Sequence, residues 1–395
     1  AEYVTKRGGR PVDIGYNAEE SIPSLVLYAR TVQNDVLLRR LKEILRKQLY
    51  FMLPDGGWDN SFGTRNYKWT YWGSRTSDGC QAAYGIWGEE EPVFHEAAVR
   101  NLMLYKQCSQ EGLLYGGPHY AAHGEEPCIH HTFCHAKVLA SMLDCGKWSS
   151  RNELIPSEQA APLMFYPEID TWKISKGGFL GAVTGYDYMK GGHASGGTLT
   201  MLWHKTAGPI IMAPMTDYWL KEPHNMQLSL KKSQHQSLVP RLELTLETKK
   251  YASCYDYTPC ITAEETNGEI KIRSEMELKD MMHQPFDHHV FGCLEYTVTD
   301  HYVKITGMTK TPSNIVPAFI LPVIGKHHMG ISETKEGFMI PRESGVLQIN
   351  ISNKDNIEKA QPIFCLSGGF EAWEFVIKPD KSGMLQVTIQ VEEEK

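Results

Sequence analysis

Tyr71 lies in a stretch whose composition is unusual for a linker. Residues 55–79 read DGGWDNSFGTRNYKWTYWGSRTSDG, so Trp58, Trp69 and Trp72 alternate with Asn60, Arg65, Tyr67, Lys68 and Arg75. Indole rings offer flat apolar faces, and sugar rings present matching ones. Arginine holds a carboxylate or sulfate in a bidentate fork. A positioned phenol can take or return a proton. The competing reading is packing, since Trp is mostly buried on average. The cluster as a whole favours a ligand surface, because packing does not call for so many hydrogen-bonding side chains, each needing a partner if buried. Asp55, Asp59, Asp78 and the later Glu125 also supply the carboxylates a glycoside hydrolase would need.

A second group sits in LLYGGPHYAAHGEEPCIHHTFCHAK. His119 and Tyr120 occupy a glycine-flanked loop, a place suited to binding or catalysis. His123 follows in the same loop, and His130, His131, Cys134 and His135 open the next helical run. A zinc site from Cys128, His131, Cys134 and His135 is conceivable, but the spacing lacks the paired knuckles of structural zinc. The plainer reading is hydrogen-bonded residues at a helix start. No metal and no cofactor are expected.

These loops need elements to hold them. Ile22, Leu25, Val26, Ala29 and Val32 recur at helical spacing, as do Val36, Leu37, Leu41, Ile44, Leu45 and Leu49, with Asn34 or Asp35 as cap. Pro54 and the glycines stop that run. Further helices are expected over residues 77–87, then through PVFHEAAVRNLMLYKQC and IHHTFCHAKVLASMLD. Helical pairs joined by long aromatic and glycine-rich loops suggest a segment of an α/α toroid or solenoid, with the loops on one face. Near Lys147 the period changes. Runs such as RLELTLETKKYAS, GEIKIRSEMELK and MLQVTIQVE alternate every second residue, as in Leu242/Leu244/Leu246 and Ile270/Ile272. The expected organisation is an α+β multidomain chain. A partial α/α toroid over residues 1–150 leads, through a linker around WSSRNELIPSEQAAP, to an antiparallel β-sandwich over 160–395.

Composition limits the partners. The 395 residues are 42% hydrophobic and 22% charged, with a formal net charge of −7. That mild acidity argues against nucleic acid or an anionic membrane surface. No apolar run approaches the roughly 18 residues a membrane span needs. The N-terminal stretch has no apolar signal-peptide core. Nine cysteines without regular spacing read as buried thiols rather than a disulfide framework.

The run GGHASGGTLTMLWHKTAGPIIMA, residues 191–213, resembles the motif that opens the β-sandwich of heparinase II/III-like polysaccharide lyases. The EPHN tetrapeptide, with His224 and Asn225, falls where that family places a His-Asn pair. The family's metal-binding Asp has no counterpart: Ala213 stands there, and Asp217 is poorly spaced. Asp59-Asn60-Ser61-Phe62 is similar to a segment of the toroid lyases that act on chondroitin and hyaluronan, with Arg65 where those enzymes carry a His and Tyr71 at or next to their catalytic Tyr. The resemblance implies the C-terminal part of a toroid with its sandwich, in the periplasm or outside the cell. It implies cleavage of a uronic-acid-containing polysaccharide by β-elimination. Asn60, Arg65 and Arg75 would neutralise the uronate carboxylate. Tyr71 would act as base or acid, with His119 and Tyr120 as a partner pair. Trp58, Trp69, Trp72, Arg75, His193 and His224 would contact substrate. The alternatives are an α/α-toroid glycoside hydrolase and a non-catalytic carbohydrate-binding fragment.

Overall fold

The computed structural model describes residues 12, 14–59, 61–62, 69–70, 73–74, 79–188, 192–213, 215–216, 237–310, 316–352, 357–359, 362–365 and 367–393, with the backbone alone at Tyr16, residues 69–70, residues 73–74 and Lys310. Helices occupy Ile22–Thr31, Asp35–Gln48, Gln81–Gly85, Pro92–Gln107 and Ile129–Cys145. Asn34 is the cap, its Oδ1 accepting from the Leu37 amide at 3.0 Å. Arg46 and Lys47 fall in the last turn, where cations suit the helix dipole. Pro92 starts its helix where a missing amide hydrogen costs nothing. The helix expected over 77–87 shrinks to Gln81–Gly85 within the described residues, and the chain continues as turns. The apolar stripe of Asp35–Gln48 is also narrower than its composition suggests. Leu41 and Leu45 are buried, whereas Val36 is 64% exposed and Ile44 43%.

From Leu163 onward every strand pairing is antiparallel. Among the described residues of this part three sheets form, of five, six and eight strands. The five-stranded one runs from Leu163 to Met212 in chain order. Period-two burial in Glu269–Glu277 puts Ile270, Ile272 and Met276 inward, and Met384–Glu393 does the same with Leu385, Val387 and Ile389. Those residues share one core with Leu242, Phe319, Leu321 and Phe375 of the six-stranded sheet, which is a sandwich packing.

The five-stranded sheet is the middle layer. Phe179 and Val183 join the sandwich core. Leu180 and Ala182, on the opposite face, pack with Leu53, Leu104 and Leu114 of the helical part. Burial on both faces explains why Phe179–Thr184 reads as continuously apolar rather than alternating. This layer brings the loops of the helical part onto the sheets. Among the described residues no helix is long and apolar enough to cross a membrane. All nine cysteines are free thiols.

His204 ends one strand of this layer against the Phe179 ring, with centroids 4.5 Å apart. Its Nδ1 accepts from the Thr206 amide. Burial, helped by Lys205, pushes its pKa down to about 4. The unfolded chain binds a proton there near the ordinary value of about 6.5, while the folded one waits until about 4. Stability is therefore expected to fall as pH drops through that window. His204→Gln should flatten the slope in denaturant titrations at stepped pH. An unchanged slope would remove His204 as its source.

Candidate active site

Ser61 meets His193, and Phe62 lies against Tyr186 beside it, with ring centroids 6.2 Å apart. Asp59, fully buried, accepts from Lys173 Nζ at 2.6 Å through Oδ2 and from the Ser61 amide at 3.2 Å through Oδ1. Lys173 projects from the strand Thr171–Lys176 and also lies 5.0 Å from the Phe51 ring centre. This buried pair fixes the path of the chain, and the Ser61 carbonyl then faces His193 Nδ1 at 3.1 Å. A carbonyl can only accept, so Nδ1 carries the hydrogen, and in the neutral ring Nε2 is the basic nitrogen.

His193 sits edge-on to two phenol rings, Tyr186 at 5.1 Å and Tyr188 at 5.3 Å between centroids. Its own carbonyl accepts from the Tyr257 hydroxyl at 3.4 Å. Burial first, then Cys254 and the Asp187 carboxylate, raise the Tyr257 pKa well above the ordinary phenol value. The glycines after His193 make its turn possible. Gly196 has φ of 71°, and a Cβ there would strike the Ser253 backbone. The site therefore joins the helical part's loop, the middle sheet and the sandwich. Of the residues expected from sequence, Asn60, Arg65, Tyr71, Trp72, Arg75 and His224 lie outside the described residues, and the Trp69 side chain does too.

Trp58 takes the packing role. It is 1% exposed and stacks on Tyr84 at 6.4 Å, inside the helical core, so it offers no face to a sugar. Two of the four hydrolase carboxylates are engaged as well, and Asp78 lies outside the described residues. Asp59 is locked to Lys173, and Asp55 accepts from the Gly57 amide and from Trp203 Nε1. His131 and His135 are buried, with His135 Nδ1 donating to the His131 carbonyl and the ring stacked on Tyr105. The four residues Cys128, His131, Cys134 and His135 do not converge as metal ligands.

The His119–Tyr120 loop docks elsewhere, on residues 364–371. Gly117 rests on the Gly368 backbone, where a Cβ would collide. His119 meets Phe370 edge-on at 4.9 Å, and burial, then Lys326 and His327, hold its pKa below the ordinary value. Tyr120 is 1% exposed and packs edge-on against Phe364 at 5.5 Å, so its phenol is interior rather than on an open cleft wall. Beyond it, His123 approaches His327 and Glu371.

Residues 1–160 match the ulvan lyase N-terminal domain, and residues 163–392 match the ulvan lyase C-terminal domain. The chain belongs to the ulvan lyase family. A broad-specificity ulvan lyase of Formosa agariphila is 37% identical over 366 residues, which is 88% of this chain and 56% of that protein. The chain thus spans little more than half the length of the curated ulvan lyase it matches. Solved structures are more distant. A 4-alpha-glucanotransferase from Thermococcus litoralis shares 9% identity with a TM-score of 0.41, over 98% of this chain and 58% of that one. The Streptomyces coelicolor A3 chondroitin AC lyase shares 10% identity with a TM-score of 0.30, over 96% and 61%. Scores this low carry no argument about fold or chemistry.

Reasoning from sequence missed Lys173, Tyr186, Tyr188 and Tyr257 around His193. It also missed His327 and Glu371 beside His123. The GYDYMKGGHASGG run did carry a signal for two of them, because Tyr186 and Tyr188 alternate just ahead of the glycine turn.

Proposed function

We propose that this chain takes part in β-elimination on an acidic, uronic-acid-containing polysaccharide, with ulvan the first substrate to test. The observation that supports it is the contact of the Ser61 carbonyl with His193, beside the Asp59–Lys173 pair, which joins the two motifs that resemble polysaccharide lyases. A uronate C5 proton becomes acidic only when the neighbouring carboxylate is neutralised. Asn60, Arg65 and Arg75 are the residues assigned to that task, because amide and guanidinium donors stabilise the enolate-like charge that develops. Tyr71 takes the proton or returns one to the leaving oxygen, and surrounding positive charge lowers a phenol's pKa toward that role. His193 is 1% exposed beneath the Ser61 carbonyl, and its Nε2 is assigned as a second basic atom. The step needs neither a nucleophile nor a redox group.

In this reading Trp69 and Trp72 stack on sugar rings, and His224 joins the substrate contacts. The heparinase II/III-like relationship and the toroid character of the helical part belong to the same reading. So does action in the periplasm or outside the cell, where a polymer of this kind is met. The test is incubation of the protein with ulvan and a panel of other uronic-acid polysaccharides, followed by near-ultraviolet absorbance. The unsaturated product of elimination absorbs there, whereas hydrolysis gives reducing ends without it. Reducing ends without absorbance would replace elimination by hydrolysis, and binding without either would make the chain a carbohydrate-binding one.

A further inference from the structure

His123, His327 and Glu371 come from three separate elements. His123 closes the short helical turn Ala121–His123 of the helical part. His327 follows the strand Ala318–Gly325, and Glu371 opens the strand Glu371–Ile377. His123 Nε2 lies 2.8 Å from His327 Nδ1, across 204 positions of sequence, and His327 Nδ1 lies 3.3 Å from Glu371 Oε1. All three ligand-type atoms fall within 4.8 Å of one another. Glu371 is only 8% exposed. The Phe364 ring centre is 4.2 Å from that of His123.

We infer that this cluster is a site for a divalent first-row cation, zinc fitting best, that ties the helical part to the C-terminal sheet. The donor set is two imidazoles and one carboxylate, which suits zinc and its neighbours rather than calcium or magnesium. Ligand atoms around a tetrahedral zinc at bond lengths of about 2.0–2.2 Å stand roughly 3.3 Å apart, close to the spacing here. Charge supports it too. A buried carboxylate is costly unless a cation meets it, and a dication does so while accepting lone pairs from both nitrogens. The His327 loop is held in a tense shape, since His328 has φ of 56° and its ring centre lies 3.6 Å from that of His327. The fourth position is left for water. The site is separate from His193, where Ala213 replaces the acid that the resembling lyases use for metal.

The test uses the protein stripped with chelator, reloaded with zinc chloride, dialysed and measured by plasma mass spectrometry. About one equivalent is expected, together with a rise in Tm that grows with zinc concentration. His327→Gln and Glu371→Gln keep side-chain size, and each should lose at least tenfold in zinc affinity and most of the Tm rise. Cobalt-loaded protein separates this site from the cysteines. Visible d–d bands without thiolate charge transfer in the near ultraviolet support the assignment even if both variants fail to fold. Thiolate charge transfer, a full zinc equivalent kept by both variants, or less than about a tenth of an equivalent in the parent protein would each overturn it, leaving a hydrogen-bonded His–His–Glu relay.

Discussion

Lys173→Met is expected to destabilise the fold by on the order of 3–5 kcal/mol, the usual loss when one partner of a buried ion pair is removed. The Lys173 side chain is 10% exposed and the Asp59 side chain fully buried, so solvent cannot replace the ammonium. Methionine keeps the apolar stem and its place over Phe51 but leaves a charged carboxylate among apolar neighbours. The damage follows the charge and not the hydrogen bond to Ser61. Asp59→Asn retains an oxygen for the Ser61 amide while removing that charge, so adding it to Lys173→Met should restore much of the loss. Urea unfolding of the parent, both singles and the double measures all of this. A Lys173→Met loss under about 0.5 kcal/mol, or a double variant no better than the single, would mean that the pair does not pin the loop.

The balance between what could and could not be read from sequence follows the range of each interaction. Helices Pro92–Gln107 and Ile129–Cys145 and the sheets beyond Leu163 were legible because period and capping are local. Val36 and Ile44 misled because an apolar residue on a helix need not face the core. Trp58 resembles the other tryptophans of its loop in sequence, and only the position of Tyr84 makes it a core residue. Lys173, in TWKISK, reads as an outward polar residue of an alternating strand. Its partner lies 114 residues earlier, and nothing local announces it. His327 and Glu371 are opaque for the same reason. The turn after His193 was legible because it needs Gly196 at positive φ, which leaves a mark in the local sequence.

His193→Asn separates the two nitrogens of that ring, and under the proposed function it should be the most damaging small change at the site. The asparagine amide nitrogen falls near the position of Nδ1, so it can still donate to the Ser61 carbonyl that His193 now meets at 3.1 Å. Nothing replaces Nε2. The fold should be kept, with a stability change of about 1 kcal/mol, the worth of an ordinary hydrogen bond. Turnover of the uronic-acid polysaccharide should drop on the order of 10²–10⁴-fold, with KM changing far less, as when a positioned acid or base is lost. Tyr71→Phe is the companion change, since it removes one hydroxyl and should cost on the order of 10²-fold. The pH–rate profile distinguishes their roles. If His193 accepts the proton, its removal abolishes the acidic limb, whereas Tyr71→Phe leaves that limb and removes the alkaline one. If His193→Asn leaves turnover and the acidic limb unchanged, His193 is only a link between the loop and the sheet, and the proton transfer rests with Tyr71.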